Sequence, residues 1–309
     1  MALIDFEGCE KSRRFYAGNA GRKIGVVWNG GNWILKFPGP TGRLQGSVPS
    51  YTDGAPVGIP RIAWSTGWLA IPVHETVLGI RGGKVVCACR DFTDDDWELV
   101  EFHDLKNSLS DDEPGFTESA STGSGVVLAD VRAAINRIPE LAGIDGVRER
   151  FWDMFVTDAF IRNIDRNNTN WGVLSDRKGH YRLAPVYDNG NSFNNKRTEA
   201  AIERRLSKDE LIRQDALDVR SCYITDKGKP IAPLKYIASG QDPQCTLAFG
   251  RFMERYEPDR LYSLIDSIPE QAMGVTVLPE VSRNTTKRSW HGGTRTCSSP
   301  HGGSARFGR

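Results

Sequence analysis

Apolar and polar residues alternate in short runs over about the first ninety positions of the chain, a pattern typical of β-strands. Residues 23–28 and 33–37 flank Asn29-Gly30-Gly31-Asn32, and Asn-Gly readily supplies the positive φ angles of a tight turn. Residues 74–80 and 84–89 form a second such pair around Arg81-Gly82-Gly83. The pattern therefore predicts two β-hairpins.

From about residue 94 onward, the apolar positions recur at helical spacing. The strongest helix is predicted over 147–163, where Val147, Phe151 and Phe155 fall on one face. Shorter helices are predicted at 130–138, at 207–215 and at about 244–268, and a further hairpin over 171–187. We expect an α+β fold of two lobes: a small β-rich N-lobe over 1–93 and a larger, mostly helical C-lobe over 94–281.

The net charge of +1 on the 309 residues conceals an uneven distribution. Residues 282–309 hold six basic residues and no acidic one, which leaves 34 basic and 39 acidic residues, a net charge of −5, for the remainder. This remainder argues against nucleic acid as a direct partner. The basic tail is rich in Gly, Ser and Thr, and we predict that it is disordered.

Composition also argues against membrane proteins, secreted proteins and zinc enzymes. No apolar run approaches the roughly 18 residues that a spanning helix needs, so we expect no membrane partner. Asp5 and Glu7 interrupt the first apolar stretch, which argues against a secretory signal and favours a cytoplasmic location. Cys87 and Cys89 are the only closely spaced cysteines, and no second Cys or His pair accompanies them at zinc-ligand spacing.

A dense polar segment directly follows the strongest predicted helix. It contains the spacing Asp165-x-x-x-x-Asn170, and Asp188 stands after the next predicted hairpin. Phosphoryl transfer needs a carboxylate that accepts the proton of the attacking hydroxyl, together with an Asn and a second carboxylate that hold Mg²⁺. The Asp-to-Asn spacing alone is a weak signal, because Asp and Asn also favour ordinary turns. The order of the parts strengthens it.

The N-lobe supplies a matching set of residues. Gly18, Asn19 and Gly21 lie in a turn before the first hairpin, where small residues let backbone N–H groups approach phosphates. Lys36 lies in the partner strand, from which a cation reaches nucleotide phosphates. For either feature alone, a plain hairpin or a solvated lysine is an equally good interpretation.

Three segments together resemble the HipA-type serine/threonine kinases, especially their compact CtkA-like branch. They are residues 33–37 (Trp-Ile-Leu-Lys-Phe), 164–172 (Ile-Asp-Arg-Asn-Asn-Thr-Asn-Trp-Gly) and 183–188 (Leu-Ala-Pro-Val-Tyr-Asp). The resemblance implies a two-lobed protein-kinase-like fold with ATP and Mg²⁺ between the lobes. It also implies Asp165 as the catalytic base and Asn170 and Asp188 as the Mg²⁺ ligands. Lys36 would be the phosphate partner, with Gly18, Asn19 and Gly21 over the phosphates. Cys89 and Asp91 would lie at a hinge that binds adenine through backbone groups.

One part of the family pattern is missing. A helix after the Lys36 strand should carry a Glu that pairs with this lysine. The chain instead has Pro60 among glycines, and no acidic residue lies between Asp53 and Glu75. Our hypothesis is a local change of reading frame over about 47–69, with the acid-free tail as a second suspect segment, and sequencing of the source DNA tests it.

We therefore expect an ATP- and Mg²⁺-dependent protein serine/threonine kinase of the HipA-like, toxin-like type. Its protein substrate carries a Ser or Thr acceptor, and the resemblance implies an antitoxin protein as a partner. Residues 117–125 are either an autophosphorylation segment or, as we favour, a plain surface loop. The alternatives are a catalytically impaired pseudokinase, which the missing Glu favours, and a small-molecule phosphotransferase, which uses the same parts.

Overall fold

The computed structural model describes residues 1–16, 23–38, 71–110, 125–193, 199–280, 282–284 and 286–288. It is a mixed α/β structure in which a β-rich part precedes a mostly helical part, as the sequence predicts. Within the described ranges, no helix is long and apolar enough to cross a membrane. The boundaries of the two lobes remain predictions. The start of the basic tail differs from the predicted disorder, because residues 282–284 and 286–288 are helical and Arg283 donates to the carbonyls of Ile265 and Ile268. Disorder of the rest of the tail stays a prediction.

The β-rich part contains a five-stranded sheet with the order β1-β4-β5-β3-β2. Both predicted hairpins are confirmed, since β2 pairs with β3 and β4 pairs with β5 in antiparallel register. Asn29 and Gly30 turn the first hairpin with φ angles of 48° and 72°. The strands are β1 (Ile4–Asp5), β2 (Lys23–Trp28), β3 (Gly31–Lys36), β4 (Thr76–Arg81) and β5 (Lys84–Arg90).

The two faces of this sheet bury different sets of residues. One face packs into a small core of its own, made of Phe6, Val26, Trp33, Leu35, Val86 and Ala88. The opposite face carries Ile34, Cys87 and Cys89 and joins the main core, which continues into the helical part. Lys36 follows Ile34 at a spacing of two, so it lies on this second face. This second face is called the cleft face below.

The helical part is built around one buried helix. The elements are β6 (Trp97–Glu101), α1 (Phe102–Ser110), β7 (Val126–Val127), α2 (Leu128–Arg137), α3 (Pro139–Ala142), α4 (Val147–Ile161), β8 (Gly172–Asp176), β9 (Tyr181–Leu183), α5 (Glu199–Leu206), α6 (Asp209–Asp218), β10 (Tyr223–Ile224), α7 (Pro233–Ser239), α8 (Pro243–Glu254), α9 (Pro258–Ser267), β11 (Gln271–Ala272) and β12 (Val275–Thr276). Eleven of the fifteen residues of α4 are buried, and Phe160 stacks on Phe252 of α8 with ring centroids 4.2 Å apart.

The predicted helices are present, and two of their differences from the prediction have a clear cause. The strongest one, α4, ends at Ile161 because Arg162 adopts the left-handed conformation with φ 57°. The helix predicted over about 244–268 is two helices, α8 and α9, since Pro258 starts α9 and disfavours helical geometry in the residue before it. The chain therefore turns where the sequence periodicity alone indicates continuity.

The strand pair β8–β9 connects the helical part with the sheet. β9 ends at Leu183, shortly before Pro185, whose missing N–H cannot continue a ladder. Val186 then forms an isolated parallel bridge with Val73, which directly precedes the β4 region. The N–H of Val186 donates to the carbonyl of Pro72 at 2.9 Å. This bridge fixes the chain two residues before Asp188 against the N-terminal part.

Candidate active site

Arg166 organises the loop that follows α4. Its guanidinium is buried and donates to both carboxylate oxygens of Asp158, at 2.8 and 3.1 Å. It also donates to the carbonyls of Asn170 and Tyr187, each at 2.6 Å, and to the side-chain oxygen of Asn189. One side chain therefore ties α4, the 163–170 loop and the segment around Asp188 together, and a buried charge with these partners is fully hydrogen-bonded.

Asp165 lies half-buried in this loop, and amide groups hold both of its carboxylate oxygens. Asn167 Nδ2 donates to Oδ1 at 2.9 Å, and Asn191 Nδ2 donates to Oδ2 at 2.6 Å. Asn191 also accepts the Ile164 N–H through its backbone carbonyl at 3.3 Å. The side chain that we predict to be the base thus has a fixed orientation.

Asn170 is nearly buried, and its amide nitrogen donates to the backbone carbonyl of Asp165 at 2.6 Å. This bond assigns the amide nitrogen to the loop, so the amide oxygen is the atom that remains for a cation. Asp188 adopts the left-handed conformation with φ 52°, which is costly for a residue other than glycine. Its carboxylate is about one-third exposed.

Lys36 reaches this carboxylate from the cleft face of the sheet. Its ammonium nitrogen lies 3.0 Å from Asp188 Oδ1, with 20% of the lysine side chain and 31% of the aspartate side chain exposed. The structure therefore brings together two residues that the sequence places in different lobes. The carboxylate partner of Lys36 in the described ranges is Asp188, and the segment where a pairing Glu is expected lies outside them.

Cys89 and Asp91 stand at the end of β5. Cys89 is buried and pairs with Ile34 of β3 on one side and with Thr76 of β4 on the other. The N–H of Asp91 donates to the carbonyl of Asn32 at 2.9 Å, so this donor is used within the sheet. Adenine binding by backbone groups at Cys89 and Asp91 remains a prediction. It now applies to their backbone groups other than the Asp91 N–H.

Several predicted features fall outside the described residues. They are Gly18, Asn19 and Gly21 of the glycine-containing turn, the segment 47–69, and most of the Ser/Thr-rich loop and of the basic tail. Their predicted roles therefore remain predictions.

Sequence reasoning missed Arg166, Asp158 and Asn191. The sequence did contain one signal for the ion pair between Arg166 and Asp158. Asp158 interrupts the apolar run of α4, and a charge inside such a run calls for a buried partner nearby. Asn191 left no comparable signal, because its contact with Asp165 depends on how the 188–193 segment folds back on the loop.

Two comparisons with known proteins show what the chain as a whole is similar to. The serine/threonine-protein kinase CtkA of Helicobacter pylori strain J99 is 31% identical over 272 residues, which are 87% of this chain and 80% of that protein. The crystal structure of a Helicobacter pylori proinflammatory kinase CtkA gives a TM-score of 0.80 at 26% identity and covers 96% of this chain and 98% of that one.

A more distant likeness concerns the fold alone. HipA of a toxin–antitoxin system from Shewanella oneidensis MR-1, solved in complex with HipB and operator DNA, gives a TM-score of 0.53 at 13% identity. The match covers 96% of this chain and 67% of that one. No protein-family model matches the chain.

Proposed function

The chain belongs to the CtkA-like branch of the HipA-like serine/threonine kinases, and we propose that it transfers the γ-phosphoryl group of ATP to a Ser or Thr hydroxyl of a protein in a Mg²⁺-dependent reaction. The observation that carries this proposal is the convergence of Lys36 and Asp188, 3.0 Å apart, beside the loop that holds Asp165 and Asn170. These are the side-chain types that phosphoryl transfer requires.

The donor set suits Mg²⁺, which prefers hard oxygen ligands and keeps several positions for water and substrate phosphates. Asp188 supplies a partly exposed carboxylate, and Asn170 supplies an amide oxygen whose nitrogen is already committed to the Asp165 carbonyl. In the described ranges, no group of three or more His, Cys, Asp or Glu side chains could hold a metal ion without substrate. When bound, Mg²⁺ neutralises charge that develops on the phosphates.

Asp165 accepts the proton of the acceptor hydroxyl as that oxygen attacks the γ-phosphorus. The bond between the γ-phosphorus and the bridging oxygen breaks, ADP leaves with the electron pair, and phosphoserine or phosphothreonine remains. The amides of Asn167 and Asn191 hold the carboxylate in one orientation. This orientation supports catalysis, because a base contributes only when it lies within hydrogen-bond reach of the proton.

Lys36 is the cation that we assign to the phosphates of ATP. Its side chain is one-fifth exposed and already points at the Asp188 carboxylate. In this proposal, nucleotide phosphates share the ammonium group with Asp188, and no further carboxylate is needed to aim the lysine. An antitoxin protein as partner, autophosphorylation and a cytoplasmic location remain predictions.

The test is incubation of the purified full chain with γ-labelled ATP and Mg²⁺, scored for phosphoserine and phosphothreonine. We expect label in the wild type, no label in Asp165→Ala, and unchanged label in Asp145→Ala, which removes an exposed carboxylate outside the site. Nucleotide binding without label in any variant would contradict the proposal and favour a pseudokinase. Label that Asp165→Ala retains would contradict the role of Asp165.

A further inference from the structure

The side chain of Tyr16 reaches from strand β2 to the residue that follows β5. Its ring lies directly on Gly25, because a Cβ atom at position 25 would stand 2.7 Å from Tyr16 Cε2 and 3.1 Å from Cδ2. Its hydroxyl donates to Asp91 Oδ2 at 2.7 Å. A residue with a Cβ at position 25 would force the ring to move. The missing side chain of Gly25 therefore leaves the space that the Tyr16 ring fills.

The register of the sheet places this ring on the cleft face. Gly25 pairs with Ile34, and the next pair in the same orientation is Lys23 with Lys36. Directly paired residues of antiparallel strands project to the same face, as do residues two positions apart. Since Lys36 reaches Asp188 from this face, the ring of Tyr16 lies on the side of the sheet that carries the candidate active site.

The far end of the ring is firmly anchored at Asp91. This carboxylate also accepts hydrogen bonds from Thr93 Oγ1 at 2.6 Å and from Arg14 Nη1 at 3.0 Å, and its side chain is only 6% exposed. Burial alone would raise the pKa of Asp91, but the hydrogen bonds from Thr93, Tyr16 and Arg14 outweigh burial and lower it. The carboxylate is therefore charged at neutral pH.

The phenol of Tyr16 stays protonated under the same conditions. Burial and its hydrogen bond to Asp91 raise the pKa of Tyr16 well above the ordinary value. The hydroxyl therefore remains a donor to Asp91 across the physiological range. An aromatic ring held at both ends, by Gly25 and by Asp91, presents a fixed apolar surface toward the cleft.

We propose that Tyr16 forms one wall of the adenine pocket and that the purine base of ATP stacks against its ring. The inference rests on the proposed function, since it names the residue that recognises the base in that nucleotide site. The ring lies on the same face as Lys36 and reaches the end of β5, so it stands beside the place where a base would lie when the phosphates meet Lys36. An aromatic ring offers a purine stacking surface that requires no polar partner.

The test compares the affinities of ATP and of inorganic tripolyphosphate, measured with Mg²⁺ by competition against a fluorescent ATP analogue. We expect Tyr16→Ala to weaken ATP binding about tenfold, a typical effect for loss of one base–aromatic stack. Tripolyphosphate, which has no base, should bind to this variant as to the wild type. Tyr16→Phe keeps the ring and loses the anchor, so we expect roughly a threefold loss for ATP.

Two further variants separate this role from a merely structural one. Phe15→Ala removes the neighbouring aromatic side chain, which is 92% exposed, and should leave both affinities unchanged. Gly25→Ala should displace the ring and weaken ATP binding in the wild type, and it should cost much less in a Tyr16→Ala background, since the two changes act on one contact.

Equal losses for ATP and tripolyphosphate in Tyr16→Ala would overturn the inference, because they would report general damage to the site. Unchanged ATP binding would overturn it as well. Tighter ATP binding would show that the ring fills the place of the base and would also overturn it. A wild-type chain that binds neither ligand would overturn the proposed function together with the inference, whereas the three preceding outcomes leave the proposed function standing.

Discussion

Lys36 and Asp188 are 152 positions apart in the chain, yet the lysine ammonium lies 3.0 Å from the carboxylate oxygen of Asp188. The contact joins strand β3 to the segment that follows β9. It brings a cation suited to phosphates and a carboxylate suited to Mg²⁺ to one place. Both side chains are partly exposed, so a ligand from solvent can reach each of them and replace its partner in the pair.

The Lys36–Asp188 pair predicts opposite effects on Mg²⁺ binding and on phosphoryl transfer. In Lys36→Met, we expect Mg²⁺ alone to bind more tightly, because the ammonium no longer competes for the Asp188 carboxylate, while transfer from ATP falls at least a hundredfold. Calorimetric titration with Mg²⁺ and a γ-labelled ATP assay measure the two effects. Lys84→Met, which removes an exposed lysine at the far end of β5, serves as the control.

Weaker Mg²⁺ binding in Lys36→Met would contradict this competition. The stability of the variant should change little, since a partly exposed ion pair contributes about 0–1 kcal/mol. A large fall in the melting temperature would therefore show that Lys36 has a structural role beyond this pair.

Asn191 should affect the rate of transfer more than the binding of nucleotide. Its amide holds Asp165 Oδ2 at 2.6 Å, and Asn191→Ala removes this constraint from the predicted base. We expect the single-turnover rate to fall about ten- to a hundredfold, as misplacement of a catalytic group does, with the Kd for ATP unchanged. Asn191→Ser keeps a hydrogen-bond donor and should recover part of the rate.

The matched control is Asn136→Ala, which removes an exposed Asn outside the site, on α2. Parallel losses of ATP affinity and of rate in Asn191→Ala would count against a positioning role. They would indicate instead that the whole 188–193 segment had lost its fold.

The local features of the sequence predicted the fold well, because each depends on residues close to one another in the chain. The turn Asn29-Gly30 and the apolar spacing of α4 are such features, and both are present. Strand β1, in contrast, has two residues and pairs in parallel with β4, more than seventy positions away. A segment so short has no periodicity, so its pairing could not be predicted.

The candidate site was predictable to a similar extent. The spacing from Asp165 to Asn170 and the position of Asp188 were visible in the sequence, whereas the side chains that hold them were not. Arg166 contacts Asp158, Asn170 and Tyr187 at once, and such a set of contacts exists only after three elements have come together. Supporting residues of this kind carry weak local signals even when the groups they support carry strong ones.

Arg166 should be among the most sensitive positions for stability. Its replacement in Arg166→Met leaves Asp158 as a buried carboxylate without its guanidinium partner, and breaking such a pair costs about 3–5 kcal/mol. Denaturant unfolding measures the loss. Arg90→Met is the control, because its ion pair with Glu75 is about half-exposed and should contribute less than about 1 kcal/mol.

A loss below about 1 kcal/mol in Arg166→Met would contradict this assignment. It would mean that water or a rearranged side chain replaces the guanidinium at Asp158. A double-mutant cycle with Asp158→Asn separates the two cases, since direct contact predicts a coupling energy well above experimental error.

Cys245 should resist alkylation, because burial and the nearby Asp242 raise the pKa of its thiol to about 12. At pH 8 its thiolate population is negligible in the folded state, whereas the partly exposed Cys9 should react readily. A raised thiol pKa also means that its contribution to stability is present below the ordinary thiol pKa, about 8.5, and is lost as the pH rises toward 12. Iodoacetamide labelling followed by peptide mass spectrometry checks the prediction, and equal rates at the two cysteines would contradict it.

Two glycines should respond to alanine in opposite directions. In Gly172→Ala, the new Cβ would stand 2.2 Å from the carbonyl oxygen of Val100, where β8 pairs with β6. Backbone cannot yield as a flexible side chain can, so we expect the free energy of unfolding to fall by about 1–3 kcal/mol.

Gly250 lies inside helix α8, and a Cβ there would meet no atom within 4 Å. Gly250→Ala should therefore gain about 0.5–1 kcal/mol, because alanine favours helix and restricts the unfolded chain. Thermal and denaturant unfolding of both variants check the pair. A stabilised Gly172→Ala would show that β6 and β8 are farther apart than the structure has them, and a destabilised Gly250→Ala would show that this face of α8 is covered in solution.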